Sequence, residues 1–277
     1  MAPQTIAVIG ALDADLIMIT PRIPSGGEMV QANEYIEALG GKGANSAIAT
    51  YRTCHKSPTS AAEGLSDPSH DDIKVKMIGA VGSDQYRDKF LTELTKNNID
   101  TSGIIAVHNT RSSVCFVLVE HATRENRCLF TLGATATWKK EHFATPSQLS
   151  GGGDPPDLVI AQMEIAKDVV SAAIETAGKA DIDVCLNAAP ASPIDKRLYK
   201  FITHLLVNES EAAIMSGRAR GEVNADSWAA IAQEFLTLGV KNVVITLGAK
   251  GAFYANTEGS AHCPGYEVIV RDTNGAG

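Results

Sequence analysis

Short apolar runs alternate with longer amphipathic segments along most of this chain. The apolar runs, mostly bounded by Gly, Asp or Asn, predict buried strands at Thr5–Gly10, Val75–Val81, Asp157–Ala161, Val184–Asn187, Leu205–Asn208 and Asn242–Leu247. Apolar residues at helical spacing predict helices at Gly43–Thr53, Gln85–Asn97, Asp168–Lys179, Glu209–Met215 and Trp228–Leu238. This repeated order predicts an α/β fold with a mainly parallel sheet flanked by helices on both faces, whose ligands bind at the carboxyl ends of the strands.

Two regions break this alternation. Glu28–Leu39 is one, and Gly103–Val107, Ser113–Glu120 and Cys128–Leu132 form the other; all have alternating polarity and no helices between them. We predict that these regions, roughly residues 20–40 and 103–134, form a small β-sheet that closes over a site as a lid. Residues 55–72, rich in Ser, Pro, Asp and His, predict a surface insertion within one domain that spans 1–277.

Composition and charge exclude several classes of protein. The 277 residues include 24 basic and 32 acidic side chains, a net charge of −8, which argues against binding to nucleic acid or to an anionic membrane surface. The five cysteines are odd in number and widely spaced, which argues against a disulfide framework or a zinc site and favours a reducing compartment. No signal peptide or run of roughly 20 apolar residues is evident. We expect a cytoplasmic protein, with the nucleus as a second location.

Two acidic residues directly follow the first predicted strand, in the segment Gly10-Ala11-Leu12-Asp13-Ala14-Asp15. Residues two apart on an extended segment face the same side, so both carboxylates can accept hydrogen bonds from one polar ligand. Two like charges this close repel each other unless a cation or several donors compensate. A solvated strand end or a turn is the structural alternative, and these residues alone leave it open.

A glycine-rich segment, Gly40-Gly41-Lys42-Gly43-Ala44-Asn45, precedes the first predicted helix. Glycines allow close approach of the backbone to a ligand, and the helix start offers free N–H groups beside the donors of Lys42 and Asn45. The spacing does not match the phosphate-binding pattern G-x-x-x-x-G-K-[ST]. A glycine turn with a surface lysine is the alternative interpretation.

Four later features lie at predicted strand ends or turns. They are Glu164, Asn187, Asn208 with Glu211, and the segment Thr246-Leu247-Gly248-Ala249-Lys250-Gly251. Each has a structural alternative: a cap or turn residue, a helix N-cap completed by a capping box, or a hairpin turn. All of them fall on the same predicted edge of the sheet, which favours a functional interpretation. No H-E-x-x-H or G-x-S-x-G motif supports a metalloprotease or serine hydrolase.

Taken in order, these segments resemble the ribokinase-like (PfkB) carbohydrate kinase family. The resemblance spans the whole chain, through G-A-L-D-A-D at 10–15, P-S-G-G-E at 24–28, G-G-K-G-A-N at 40–45, Q-M-E at 162–164, L-N-A-A-P at 186–190, N-E-S-E at 208–211, T-L-G-A-K-G at 246–251 and D-T-N-G-A-G at 272–277. The double-glycine lysine segment and the last motif are the specific ones. The other segments support the resemblance only through their order and spacing along the chain.

The resemblance implies a role for each of these residues. Those that would bind the sugar hydroxyls are Asp15, Gly41, Lys42, Asn45 and Glu164, with Asp13 beside them. Asn187, Asn208 and Glu211 would lie toward the phosphates and Mg²⁺, and Thr246, Gly248 and Gly251 would line the nucleotide. Asp272 would help to bind K⁺, while Gly275, Ala276 and Gly277 would form an anion hole around the γ-phosphate. The implied reaction transfers that phosphoryl group from ATP to the primary hydroxyl of a pentose, D-ribose giving D-ribose 5-phosphate, in a possible homodimer joined through the lid strands.

The chain departs from the family pattern at two places. The family's general base is an Asp directly after G-A-G, whereas this sequence ends at Gly277, so we expect a truncated chain with little or no kinase activity. Asp13 stands where the family usually has Asn, which puts the identity of the sugar in doubt. The alternatives are a kinase of the same family for another sugar or a nucleoside, and a non-catalytic protein that binds a sugar or nucleotide.

Overall fold

The computed structural model describes residues 4–55, 73–123 and 125–267. Two compact units make up the chain, Met1–Trp138 and Lys139–Gly277, and we describe each by itself. Apart from residue 55, the predicted insertion at 55–72 lies outside the described residues. So do Asp272, Gly275, Ala276 and Gly277.

Among the residues that the structure describes, the first unit contains two groups of strands and two α-helices. In chain order its elements are β1 (Thr5–Ile9), β2 (Asp13–Thr20), β3 (Glu34–Gly40), α1 (Lys42–Cys54), β4 (Lys74–Gly82), α2 (Gln85–Lys96), β5 (Asp100–Val107), β6 (Ser113–Glu120), β7 (Asn126–Thr131) and a 3₁₀ helix at Gly133–Thr137. The strands β1, β4 and β5 are parallel and adjacent in that order. A separate four-stranded sheet has the order β3-β2-β6-β7, in which only β2 and β6 are parallel.

Local sequence explains why α2 forms where it does. Asp84 is its N-cap, and the carboxylate accepts a hydrogen bond from the backbone N–H of Tyr86 at 3.2 Å. Tyr86, Phe90 and Leu94 recur every four residues and form its buried face. The helix therefore has a defined start and one apolar face, as the sequence pattern predicts.

The structure corrects three predictions about the small sheet. The segment Gly103–Val107 belongs to β5, which pairs in parallel with β4 and so is not a lid strand. This segment is only partly buried because β5 is the last strand of its sheet. The strand predicted from Glu28 begins only at Glu34, since the Glu28 carboxylate bonds locally with Arg22 and with the N–H of Ser25. The third correction is β2, which was not predicted as a strand of this sheet.

The second unit is a sheet with helices between its parallel strands. In chain order its main elements are β8 (Leu158–Gln162), α3 (Lys167–Lys179), β9 (Asp183–Asn187), β10 (His204–Asn208), α4 (Glu209–Ser216), α5 (Trp228–Thr237), β11 (Asn242–Thr246), β12 (Ala252–Asn256) and β13 (Ser260–Cys263). Short 3₁₀ helices lie at Lys140–Phe143, Pro146–Ser150, Lys196–Phe201, Arg220–Glu222 and Gly248–Lys250. The strand order is β13-β12-β11-β10-β9-β8, parallel from β8 to β11 and antiparallel beyond.

These elements confirm the predicted α/β fold. Every predicted buried strand and helix is present with its bounds displaced by at most a residue or two. Val169, Ala173 and Ala177 lie on the buried face of α3, at the spacing that predicted this helix. Parallel pairing from β8 to β11 brings four strand ends to one edge of the second unit's sheet. Within the described ranges, no helix has the length and apolar character needed to cross a bilayer.

Candidate active site

The two acidic residues at the start of β2 are shielded from solvent to different extents. Asp13 is only 7% exposed and Asp15 is half-buried. Burial raises the pKa of Asp13, although a hydrogen bond with Ser113 and the charge of Lys42 oppose that rise. Burial and the charge of Asp13 together raise the pKa of Asp15 to about 6. The pair is thus a partly buried acceptor group whose charge is not fully compensated by the protein.

The glycine-rich segment packs directly on the chain that leads into β2. A Cβ at Gly41, where φ is +86°, would lie 2.6 Å from the carbonyl oxygen of Ala11 and 2.7 Å from the nitrogen of Asp13. A Cβ at Gly43 would lie equally close to that carbonyl oxygen, which accepts a hydrogen bond from the N–H of Ala44 at 3.2 Å. Glycine is required at both positions because any side chain would separate the two segments.

This contact brings together several residues that the sequence predicted as one site. Asp13 is opposite Gly40 in the pairing of β2 with β3, and α1 begins two residues later at Lys42. Lys42 is half-buried at the amino end of α1 and contributes its charge to Asp13. Gly41 is the N-cap of that helix and provides no side-chain cap. The first unit therefore juxtaposes Asp13, Asp15, Gly41 and Lys42, with Asn45 in the first turn of α1.

Two neighbours of the acidic pair were missed by the sequence interpretation. Parallel pairing of β2 with β6 places Ser113 opposite Asp13 and Cys115 opposite Asp15. Burial, together with the charges of nearby acids and of Cys128, raises the pKa of the Cys115 thiol to about 12. No local signal in the sequence marks these residues, because about a hundred positions separate them from the strand that they face.

The second unit collects the later candidates at one edge of its sheet. Asn187 ends β9 and is opposite Gln162, the last residue of β8, so Glu164 follows at the same edge. Asn208 ends β10 and is opposite Thr246, the last residue of β11. Thr246 is exposed, while Glu164, Asn187 and Asn208 are half-buried. The prediction that these residues share one edge of the sheet is confirmed within this unit.

Asn208 and Glu211 form a reciprocal capping box at the start of α4. The Asn208 side chain accepts a hydrogen bond from the N–H of Glu211, and the Glu211 carboxylate accepts one from the N–H of Asn208, each at 2.8 Å. The structural interpretation of this motif is therefore correct. The role of Asn208 and Glu211 toward the phosphates and Mg²⁺, which the resemblance implies, is not tested by this contact and stays a prediction.

The segment Thr246–Gly251 is a hairpin connection between β11 and β12, as its structural alternative predicted. Gly248 and Gly251 have φ values of +58° and +94°. A Cβ at Gly251 would lie 2.0 Å from the carbonyl oxygen of Cys263, whereas nothing lies within 4 Å of one at Gly248. The turn therefore packs closely against neighbouring backbone at Gly251, whereas the space beside Gly248 is open.

The Mg²⁺ that the family resemblance implies would be held mainly by the phosphates of a nucleotide, with few protein ligands. Over the described ranges 4–55, 73–123 and 125–267, no group of three His, Cys, Asp or Glu residues is arranged to bind a metal ion. Mg²⁺ is usually held by one or two carboxylates together with substrate phosphates, and Glu211 is a carboxylate at the right edge. The predicted K⁺ ligand Asp272 and the anion-hole residues Gly275, Ala276 and Gly277 lie outside the described residues.

A cavity of about 850 Å³ in the second unit does not coincide with these residues. It lies beside α3 and is lined by charged side chains that include Lys167, Glu175 and Arg197. Glu175 is paired with Lys179, and Arg197 with Asp195. No residue predicted for sugar or nucleotide binding lines this cavity.

Comparisons with known proteins identify the family. Residues 3–277 match the pfkB family carbohydrate kinases. The chain is 34% identical to a ribokinase of Schizosaccharomyces pombe over 98% of this chain and 81% of that one. It is 30% identical to a deoxyribokinase of Salmonella typhi, with coverages of 98% and 81%. The solved ribokinase of Thermotoga maritima is similar with a TM-score of 0.78 and 28% identity, over 99% of this chain and 82% of that one. With its ribokinase-like fold and the acidic pair against the glycine-rich segment, the chain therefore belongs to the pfkB family of carbohydrate kinases.

Proposed function

We propose that this protein is a ribokinase, which transfers the γ-phosphoryl group of ATP to the primary hydroxyl of D-ribose and releases D-ribose 5-phosphate. Similarity to the ribokinase of S. pombe supports the assignment. The observation that carries it is the packing of the acidic pair Asp13 and Asp15 against the glycine-rich segment that begins at Gly40. This packing gives the first unit a polar, partly buried set of hydrogen-bonding groups.

Such a set is suited to a small polyol. Asp15 can accept hydrogen bonds from two vicinal hydroxyls, and the side chains of Lys42 and Asn45 offer donors to the sugar oxygens. A purine or pyrimidine base would need an apolar or aromatic surface, which none of these three side chains provides. The polar character of the set therefore favours a free sugar over a nucleoside. Glu164 lies in the second unit, and its role toward the sugar, which the family resemblance implies, stays a prediction.

The second unit would bind the nucleotide. ATP supplies the phosphoryl group, and its Mg²⁺ neutralises charge on the phosphates. We assign Asn187, Asn208 and Glu211 to the phosphate and Mg²⁺ end, and Thr246, Gly248 and Gly251 to the nucleoside end. The open backbone at Gly248 supports this assignment, because a ligand can approach it closely. K⁺ remains part of the proposal through Asp272.

A second candidate substrate is 2-deoxy-D-ribose, which similarity to the deoxyribokinase of S. typhi supports. The two sugars differ by one hydroxyl. A site that hydrogen-bonds this hydroxyl rejects the analogue that lacks it, because buried polar groups are then left unpaired. The ratio of the two affinities distinguishes the candidates.

Calorimetric titration and thermal melts with D-ribose, 2-deoxy-D-ribose, D-fructose, D-glucose and adenosine test the proposal. We expect D-ribose to give the largest shift in melting temperature, since a ligand that binds only the native state stabilises it. Equal or absent shifts for all five compounds would contradict the assignment. A coupled assay with ATP, Mg²⁺ and K⁺ measures turnover separately, because binding and catalysis require different residues.

Asp15→Ala provides the decisive variant for this proposal. It should weaken sugar binding by about 2–4 kcal/mol, because charge-assisted hydrogen bonds in a partly buried site are lost. Asp226→Ala is the matched control, since Asp226 is an exposed acid in the second unit. If both variants bind D-ribose as well as the unmodified chain does, the sugar site is not on β2.

We also propose a homodimer through the small sheet and a cytoplasmic location. The edge strands β3 and β7 expose Tyr35, Ile36, Leu129 and Phe130, which supports coverage of this sheet by a second copy. Sedimentation of Leu129→Arg should show a smaller species than the unmodified chain. A monomer at micromolar concentration before mutation would contradict the dimer. The five unpaired cysteines support a reducing compartment.

A further inference from the structure

The cavity beside α3 is positively charged, although the chain as a whole is acidic. Its volume of about 850 Å³ lies in the range of sites for small molecules. Five basic and three acidic side chains line it, an excess of two positive charges, whereas the whole chain has a net charge of −8. The positive charge is therefore a local property of this cavity.

The three acids of the cavity are each engaged within their own segment. Glu175 forms an ion pair of 2.7 Å with Lys179, one turn later on α3. Asp195 accepts hydrogen bonds from Nε of Arg197 at 3.1 Å and from its Nη2 at 2.6 Å. Asp168 accepts one from the backbone N–H of the next residue at 3.0 Å. Two of the five basic residues are therefore used by these acids.

The other three basic residues are lysines from three separate segments. Lys140 and Lys200 belong to two 3₁₀ helices, and Lys167 is the first residue of α3. Among the residues that the structure describes, no carboxylate lies within 4.0 Å of Nζ of any of these lysines. All three are exposed, so each ammonium group is accessible to a ligand. The second unit thus gathers three positive charges without acidic partners around one cavity.

An aromatic ring lies beside these charges. Phe201 also lines the cavity, and Nζ of Lys200 lies 4.9 Å from the centroid of its ring. The ring packs on the backbone of α3 at Gly178, where a Cβ would overlap it. Phe201 is half-buried, as is Ala172, which lines the same cavity. The cavity therefore offers apolar contacts as well as positive charge.

We propose that this cavity binds a small organic phosphate, a monoester whose organic part is apolar or aromatic. Lys140, Lys167 and Lys200 supply the positive charge for the phosphate group, and Phe201 supplies an apolar contact for the organic part. A phosphate monoester carries close to two negative charges at neutral pH, which balances the excess of positive charge. None of the residues assigned to the sugar or the nucleotide lines this cavity, so the proposal does not depend on the proposed function.

The basic side chains favour a phosphate over a carboxylate. A planar carboxylate is matched best by the fork of a guanidinium group, and Asp195 occupies the fork of Arg197. Lysine ammonium groups bind phosphate as point charges and need no planar match. Nucleic acid or an anionic membrane would need a broad basic face, which a concave site in an acidic chain does not provide. A small phosphate ester is therefore the ligand that fits this cavity.

Calorimetric titration of the full chain with phenyl phosphate at low ionic strength tests the proposal. We expect binding that Lys140→Gln and Lys167→Gln each weaken by about threefold or more, because each removes one charge from the cavity. Lys139→Gln and Lys196→Gln are the matched controls, since these exposed lysines are close in sequence but do not line the cavity. They should bind phenyl phosphate as the unmodified chain does. No binding at millimolar concentration, or equal affinities in all four variants, would overturn the proposal.

Three further compounds test the chemical class of the ligand. Succinate has two negative charges but no phosphate group, inorganic phosphate has no organic part, and phenol has the ring without the charge. We expect each to bind about tenfold or more weakly than phenyl phosphate. Succinate binding as tightly would contradict the preference for phosphate. Inorganic phosphate binding as tightly would contradict the contribution of Phe201.

The same measurements separate this cavity from the sugar site. Lys140→Gln and Lys167→Gln should retain the D-ribose affinity of the unmodified chain, and Asp15→Ala should retain its affinity for phenyl phosphate. Added salt should weaken phenyl phosphate binding, since exposed charges are screened. Binding that is insensitive to salt, or lost in Asp15→Ala, would place phenyl phosphate elsewhere and overturn the proposal. Absence of D-ribose binding in the unmodified chain would instead contradict the proposed function alone.

Discussion

The carboxylate of Asp15 occupies the space that a side chain at residue 40 would need. A Cβ built on Gly40 would lie 2.3 Å from Oδ2 of Asp15, although Asp15 is opposite Ala38 rather than Gly40 in the pairing of β2 with β3. The glycine-rich segment thus fixes the direction of the acidic side chain by leaving room for it. This relationship joins two motifs that are 25 positions apart in the sequence.

Gly40→Ala should displace the Asp15 carboxylate and weaken D-ribose binding by about tenfold or more, a loss of at least ~1.4 kcal/mol. Stability should fall only slightly, since the atom in the way is the free end of a side chain that can rotate. Gly26→Ala is the control, because nothing lies within 4 Å of a Cβ there. Calorimetry and thermal melts of both variants measure the two effects. An unchanged affinity in Gly40→Ala would contradict the proposed role of Asp15.

Asp15 should lower the stability of the protein at neutral pH. Its pKa in the folded state is raised from 3.8 to about 6, first by burial and then by Asp13. The folded state therefore binds a proton more tightly than the unfolded state, and this contribution to stability is lost as the pH rises from about 4 to about 6. The melting temperature of Asp15→Asn should exceed that of the unmodified chain above this range and match it below. A difference that is independent of pH would refute the prediction.

The contribution of Asp84 to the stability of the protein should depend on pH in the opposite direction. Burial raises its pKa, but hydrogen bonds from Ser112 and from the N–H of Tyr86 outweigh it, so that the net pKa lies below the usual value of 3.8. The stability that it provides is present above that value and is lost as the pH falls through the lowered pKa. Asp84→Ala should cost about 2 kcal/mol, since it removes both an N-cap and the bonds to Ser112.

The control for Asp84 is Asp88→Ala in the first turn of the same helix, where the acid is exposed. Denaturant unfolding at neutral and acidic pH gives both free energies. The Asp84→Ala deficit should shrink at acidic pH, whereas Asp88→Ala should remain within about 0.5 kcal/mol of the unmodified chain throughout. Equal costs for the two variants would show that Asp84 contributes no more than a surface charge.

Gly251→Ala should disturb the proposed nucleotide end of the site. The new Cβ would meet the backbone oxygen of Cys263, which cannot move aside as a side chain does, and φ is +94° at this position. We expect a loss of stability above about 1 kcal/mol and a dissociation constant for ATP raised by about tenfold or more, with D-ribose affinity retained. Gly259→Ala, at an open position of the adjacent turn, should change neither quantity. Loss of D-ribose affinity in Gly251→Ala would point to general misfolding.

The local pattern of apolar and polar residues was sufficient to predict the strands and helices of the main sheets. The helix predicted at Gly43–Thr53 is observed at Lys42–Cys54, and the strand predicted at Leu205–Asn208 is observed at His204–Asn208. The capping box of Asn208 and Glu211 was also predicted. These features depend on residues within a few positions of one another, so the local sequence is sufficient to predict them.

Tertiary structure alone decided which sheet a half-exposed strand joins and what faces the acidic pair. The segment Gly103–Val107 was predicted as a lid strand, yet it pairs with β4, because a short partly exposed strand can be the edge strand of either sheet. Asp13 and Asp15 were found from the sequence, but Ser113 and Cys115 were not. Their positions follow from a parallel pairing between strands about a hundred residues apart, and such a pairing is selected by the packing of the whole unit. The sequence by itself determined the elements, the acidic pair and the family resemblance. The tertiary fold decided which residues of β6 lie opposite the acidic pair.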